Sequence, residues 1–237
     1  MKLIDKYAFS DCKNLKTVSL GDGVEEIKPS AFARSGITEI TIPASVQDIA
    51  PSCFAYCNAL ERITIDAKLK ELEERLFSHC FALREIRLPE TLEKIEAEAF
   101  AKCTSLTVIE VSPTLKIIEE RAFWGCLALQ EISFPTSLKV VKKEVFKDCL
   151  ALKTVLFANS RLALKAGVFV GCDALETVLL PDGKFTFAKR SLKWGIPSST
   201  RLVTHKELAA AEELMQKALA TEEATAESVE EIEQTEE

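Results

Sequence analysis

The chain has 237 residues, 47% of them hydrophobic, and a formal charge of −7. That is long enough to bury a substantial core, and no apolar run approaches the roughly 18 residues of a membrane-spanning helix. The negative charge is local. Residues 222–237 hold eight Glu and no Lys or Arg, leaving 30 basic and 29 acidic side chains in the body. Such a balance provides no overall field to steer nucleic acid or an anionic membrane.

The start, Met-Lys-Leu-Ile-Asp-Lys, has no apolar core of the kind a signal peptide needs, so the chain as written is expected to be cytoplasmic. Ile4 already holds a repeat position, with no amphipathic cap before it, although terminal repeats usually need a polar outer face. The expectation is either a piece of a longer array, with a cell-surface or secreted location then open to it, or a first coil covered by a partner or a second copy.

From there the chain is periodic. Phe9, Phe32, Phe54, Phe77, Phe100, Phe123, Phe146 and Phe169 stand 23 residues apart, except for one interval of 22. Cys follows three residues later at Cys12, Cys57, Cys80, Cys103, Cys126, Cys149 and Cys172, and Leu three further on, from Leu15 to Leu175. Next comes a short alternating segment such as Leu60-Glu-Arg-Ile63-Thr-Ile65 or Leu129-Gln-Glu-Ile132-Ser-Phe134. Its apolar residues two apart predict a pleated strand. Pro43, Pro89, Pro135 and Pro181 close several of these strands. A second apolar pair follows, as in Val46 and Ile49 or Leu92 and Ile95. A period in the twenties with Leu-x-x-Leu-x-Leu spacing marks a leucine-rich-repeat solenoid. About eight coils are predicted over residues 1–181, forming a β-rich curved array with short turns and a length on the order of 40 Å.

The repeat starting at Phe32 is one residue short and carries Ser35-Gly36 in place of Cys. Gly36 is expected to close the tighter turn through a positive φ. The full pattern, as in Ile40-Thr-Ile-Pro43-Ala-Ser-Val46-Gln-Asp-Ile49 and Leu88-Pro-Glu-Thr-Leu92-Glu-Lys-Ile95-Glu-Ala-Glu-Ala99-Phe100, resembles the BspA-like branch of leucine-rich repeats. The resemblance covers roughly residues 4–181. It implies a curved solenoid that binds proteins, several members being cell-surface adhesion proteins, and it brings no catalytic residues.

Beyond Pro181 the register weakens. Residues 182–203 read as a degenerate ninth coil, with Trp194 and Ile196 covering the core and Arg201-Leu202-Val203 as a last edge strand. Thr204-His-Lys-Glu207 has the form of a capping box. Leu208, Ala211, Met215, Ala218 and Leu219 then share one face of an amphipathic helix over 204–221. Residues 222–237 are too acidic, and too poor in large apolar groups, to order.

Seven of the eight Cys share one repeat position, which predicts an inward column of small, soft side chains. Parallel side-chain directions argue against bridging, despite close Cα spacing. No paired C-x-x-C suggests a metal site. His79, next to Cys80, reads as a turn residue; adjacent residues rarely face each other, so no catalytic pair is inferred. No phosphate-cradling Gly loop occurs. No cofactor, metal or enzymatic activity is expected.

The surface left for function is the outward side of the strands. Its centre is charged, with Arg62, Glu85, Arg87 and Glu110 able to pair across coils. Its C-terminal end turns apolar at Leu156 and Leu179. Exposed apolar residues beside a polar field suit a protein contact. A protein ligand bound through this face is the first expectation. An intracellular scaffold, self-associating through the open first coil, is the alternative.

Overall fold

The computed structural model describes residues 2–159, 162–180, 193–204 and 206–207. It is a stack of coils with two separate ladders of parallel strands, and most repeats contribute to both. The chain-order strands are β1 (Leu3–Ile4), β2 (Glu26–Ile27), β3 (Glu39–Ile42), β4 (Asp48–Ile49), β5 (Arg62–Ile65), β6 (Glu71–Leu72), β7 (Glu85–Arg87) and β8 (Lys94–Ile95). They continue as β9 (Ile117–Ile118), β10 (Glu131–Phe134), β11 (Val140–Val141), β12 (Thr154–Phe157), β13 (Ala163–Leu164), β14 (Thr177–Leu180) and β15 (Arg201–Thr204).

The longer strands form the face expected from the alternating segments, in the orders β3-β5-β7 and β10-β12-β14-β15. The two-residue strands form a second ladder, β1-β2-β4 and β6-β8-β9-β11-β13. That second ladder was not apparent in the sequence. Its strands contain only one inward side chain each, the second member of the apolar pair, so alternation has nothing to repeat. The longer ladder is also interrupted. Residues 107–111 of the fifth coil form no strand, although Ile109 stays buried.

Backbone hydrogen bonds explain the repeat. The N–H of each Phe donates to the carbonyl just before the next coil's Phe: Phe77 to Ala99 at 2.8 Å, Phe100 to Ala122 at 2.8 Å, Phe123 to Val145 at 3.0 Å. Residues two before and two after Phe do the same, as in Glu98 to Glu120 and Lys102 to Trp124. The residues between them close turns within their own coil. Aiming alternate N–H groups at the next coil requires left-handed backbone at those flanking positions. Thirteen non-glycine residues there have φ of 56–62°, among them Tyr7, Arg34, Tyr56, His79, Glu98 and Lys102. This conformation costs an L-residue about 1–2 kcal/mol, a penalty opposed by the coil-to-coil bond that it permits.

Two side-chain ladders complete the consensus. Each buried repeat Cys from the third coil onward donates its thiol to the Phe carbonyl of the preceding coil: Cys57 to Phe32 at 3.0 Å, Cys80 to Phe54 at 3.1 Å, Cys103 to Phe77 at 3.2 Å, and so on to Cys172. A small side chain with a weak donor suits this apolar column; in the second coil Ser35 holds the position, its Oγ 3.4 Å from Cys57 Sγ. The hydroxyl in the turn after the strand does the matching work for the Leu or Val carbonyl one coil back. Examples are Ser45 to Val24 and Thr91 to Leu69, both at 2.8 Å. No buried side-chain N or O among the described residues lacks a partner.

Between these ladders the eight Phe rings form one stack, with centroids 5.1–5.9 Å apart along the whole series and planes within 20° of parallel. Burial pushes the thiols up, to about 11 at Cys57 and about 12 at Cys53, Cys126 and Cys172. Cys12, in the first coil, is exposed.

Gly36 departs from expectation. Its φ is not positive. Glycine is needed because a Cβ would lie 1.9 Å from the Lys13 carbonyl oxygen: the shortened turn presses directly on the coil before it. At the other end, Trp194 and Ile196 are buried and β15 pairs with β14. The capping box forms, with Thr204 N donating to Glu207 Oε2 at 2.8 Å and Glu207 N to Thr204 Oγ1 at 3.2 Å. The remainder of the expected helix and the acidic tail lie outside the described residues.

Two predictions follow from this core. Phe100→Ala opens the middle of the ring stack and should destabilise the protein by about 3–5 kcal/mol, read as a lowered denaturant midpoint. Titration of the native protein with a chromogenic disulfide reagent at neutral pH should show fast reaction at Cys12 alone, with the other seven thiols reacting only as the chain unfolds. Fast labelling of several thiols would refute the closed column.

Candidate concave binding face

The longer strands are short because only five residues separate the Leu or Ile that ends one turn from the Pro that opens the next, as between Leu83 and Pro89 or Leu129 and Pro135. Their inward residues enter the core, and their outward residues are left in rows by the parallel register. One row runs Glu39, Arg62, Glu85; the next runs Thr41, Thr64, Arg87. These rows floor a groove of about 1310 Å³ over the first five coils. Asp66, Lys68, Pro89 and Glu90 lie along its margin.

The groove brings together Arg62, Glu85, Arg87 and Glu110. These four do not pair with one another across coils within 4.0 Å. Arg62 turns to Glu39 at 2.7 Å, and that carboxylate's hydrogen bond and charge raise the guanidinium pKa. Glu85, Arg87 and Glu110 form no ion pair within 4.0 Å among the described residues. A strand pleat separates Arg87 from Glu85, and the fifth coil leaves the ladder before Glu110 can come into register.

Leu156 and Leu179 lie outside this groove, in the seventh and eighth coils. Leu156 is 36% exposed and stands beside Ser133 and Leu179 in register. Leu179 corrects the expectation of an open apolar end: it is only 7% exposed. The strand β15 continues the sheet past it and sets Val203, also buried, against it.

Val108 is an outward position by strand alternation that was not counted among the candidate binding residues. It is 54% exposed and lines the groove beside Glu85, Arg87 and Glu110. The signal was present, since Val108 occupies an outward position that Glu39, Arg62 and Glu85 fill in the earlier coils. Here too the backbone is open: among the described residues, 108–111 make no backbone hydrogen bond to either neighbouring coil. A second feature passed over is a line of exposed side chains four residues after Phe, namely Phe81, Leu127 and Leu150.

The edge bearing the left-handed residues is charged as well, but its charges are matched. Arg75 pairs with Glu98 at 2.9 Å and Arg121 with Glu144 at 2.6 Å. The Arg121 hydrogen bond holds the Glu144 carboxyl below its ordinary range. His79 sits at such a turn, stacked on Tyr56 with centroids 4.5 Å apart, and burial lowers its pKa. Among the described residues no three His, Cys, Asp or Glu side chains are grouped to hold a metal ion, and no helix is long and apolar enough to cross a membrane.

This architecture, a parallel solenoid built on a 23-residue Phe and Cys repeat, is that of a leucine-rich-repeat protein. The BspA type Leucine rich repeat region matches residues 1–107 and 70–193 in six copies. The chain therefore belongs to the BspA-type leucine-rich-repeat family. Among solved structures it is similar to a leucine-rich repeat protein from Bacteroides ovatus, at 28% identity and a TM-score of 0.71, over 86% of this chain and 54% of that one. A leucine rich cell surface protein from Faecalibacterium prausnitzii matches at 23% identity and TM-score 0.54, over 83% of this chain and 61% of that one. The leucine-rich repeat protein of T. pallidum matches at 22% identity and TM-score 0.51, over 78% of this chain and 95% of that one. The last two show the fold alone. The chain spans little more than half the length of the first two. No curated protein matches it.

Proposed function

We propose that the chain is a protein-binding module that engages its partner through the concave strand face, as an adhesion or recognition segment of a surface or secreted protein. The observation that carries this reading is the fifth coil. There an exposed Val108, the unpaired Arg87 and Glu110, and open backbone groups share one concave floor. An apolar anchor ringed by charges is the usual anatomy of a protein contact. A partner's main chain could satisfy the open backbone groups as it docks. The family membership and the cell-surface description of the Faecalibacterium protein support the placement.

The test uses the immobilised chain and a panel of purified matrix and cell-surface proteins. A partner found there should lose about tenfold or more in affinity with Arg87→Glu, a change of roughly 1.4 kcal/mol. Leu156→Glu should weaken a partner that also reaches the seventh coil. Both side chains are exposed, so the thermal midpoint should hold. Unchanged affinity in both variants would remove this face from consideration.

A second reading, self-association, is favoured by the first coil. Phe9, Leu15, Val18 and Leu20 pack on the core from one side and stay partly exposed. If a second copy covers them, light scattering should show a mass that rises with concentration, and Val18→Glu should return it to that of a monomer. A constant monomer mass for the unaltered chain would end this reading.

A further inference from the structure

The repeat loses one residue only between Phe32 and Phe54, and the loss falls in the turn after Phe32. Gly36 presses on the carbonyl of Lys13, so no side chain stands between Lys13 in the first coil and Asn58 in the third, which occupy the corresponding position. The result is a recess of about 360 Å³ floored by Ser35 and Gly36 and lined by Asp11, Lys13, Lys16, Arg34, Tyr56 and Asn58. It opens on the turn edge, apart from the concave groove.

The chemistry of its walls is mixed. Arg34 is turned away onto Asp11, with Nε and Nη2 each 2.9 Å from a carboxylate oxygen. That pair cancels itself. Lys13 and Lys16 remain, exposed and without an ion pair within 4.0 Å among the described residues. Tyr56 stacks one ring face on His79, in the fourth coil. The residue lines the recess and is 46% exposed. Tyr56 is held in its left-handed conformation by its N–H bond to Ser78 O at 2.8 Å. Asn58 secures the same turn, its amide oriented so that the nitrogen donates to the carbonyls of Tyr56 at 3.2 Å and His79 at 3.0 Å.

We propose that this recess binds an acidic sugar residue, with a pyranose C–H face on Tyr56 and a carboxylate or sulfate between Lys13 and Lys16. The electron-rich face of an aromatic ring attracts the weakly positive C–H groups of a sugar. Lysine ammonium groups hold an anion as compact point charges. The volume falls within the range of small-ligand sites, which combine an apolar surface with a few placed polar groups. A simple acidic side chain would satisfy the lysines and leave the ring face bare. A neutral sugar would cover the ring and leave the lysines without a partner. The two features together select a ring that carries an anion.

The test is calorimetric titration of the full chain at low and physiological ionic strength with a glucuronate-containing disaccharide and with its sulfated counterpart. A neutral disaccharide, sodium sulfate and an oligoglutamate peptide serve as comparisons. One saturable site per chain is expected for at least one acidic disaccharide, and which of the two binds more tightly identifies the anion. Affinity should fall about tenfold or more in the Lys13→Ala, Lys16→Ala double variant and in Tyr56→Ala, and weaken with salt. Arg87→Glu should leave it unchanged, which separates this site from the concave face. The lysine variant alters only exposed side chains, so its loss of binding cannot come from misfolding. Absence of saturable binding would overturn the proposal. So would equal binding of the neutral disaccharide, tighter binding of the peptide, sulfate binding as tightly as the sugars, or indifference to both variants.

Discussion

Everything in this protein depends on the hydrogen bond from one coil to the next around the repeat phenylalanine. At three alternate positions per turn, the backbone N–H is aimed along the stacking direction rather than within its own coil. That requires a left-handed residue on either side of Phe, which in turn points the Phe ring inward to join the stack. It also leaves the Phe carbonyl facing the next coil, where a thiol closes on it. The consensus Ala-Phe-x-x-Cys is thus a single device. A coil satisfies its polar groups and buries its ring only when another coil lies against it, and this is why stability in such arrays arises between neighbours.

A regular array of this kind completes itself. Where the repeat is perfect, carbonyls meet hydroxyls or thiols, and cations such as Arg75 and Arg121 meet the carboxylates of the next coil. Both candidate binding surfaces lie where the repeat is imperfect. In the fifth coil, residues 107–111 drop out of the strand ladder and expose Val108 beside unpaired charges. In the second, the missing residue leaves a recess next to Tyr56. Irregularity frees groups that the regular coils consume, and free groups held by a rigid scaffold are what a ligand can use.

The charged centre of the concave face was legible in part. The positions of Arg62, Glu85, Arg87 and Glu110 follow from strand alternation, because the side-chain period of a strand is two. Their pairing did not follow. Arg62 chose Glu39 over Glu85, and both lie directly beside it in register; the choice is one of rotamer and local geometry, which spacing does not encode. Leu179 shows a related limit, since its outward position was correct and its exposure was decided by a strand arriving from residues 201–204.

The number of coils, the inward faces, the Phe spacing and the Cys column were legible in the chain alone, because each is a consequence of periodicity and a period is visible in one dimension; the parallel stacking of the Phe rings was not. Only the tertiary structure decided the rest. It revealed the second ladder, whose strands are too short to alternate, and it showed that Gly36 answers a close approach and not a positive φ. It also showed which outward charges were paired and where two neighbouring coils fail to meet. Those outcomes depend on distances between coils 22 or 23 residues apart, and such distances exist only once the chain has stacked.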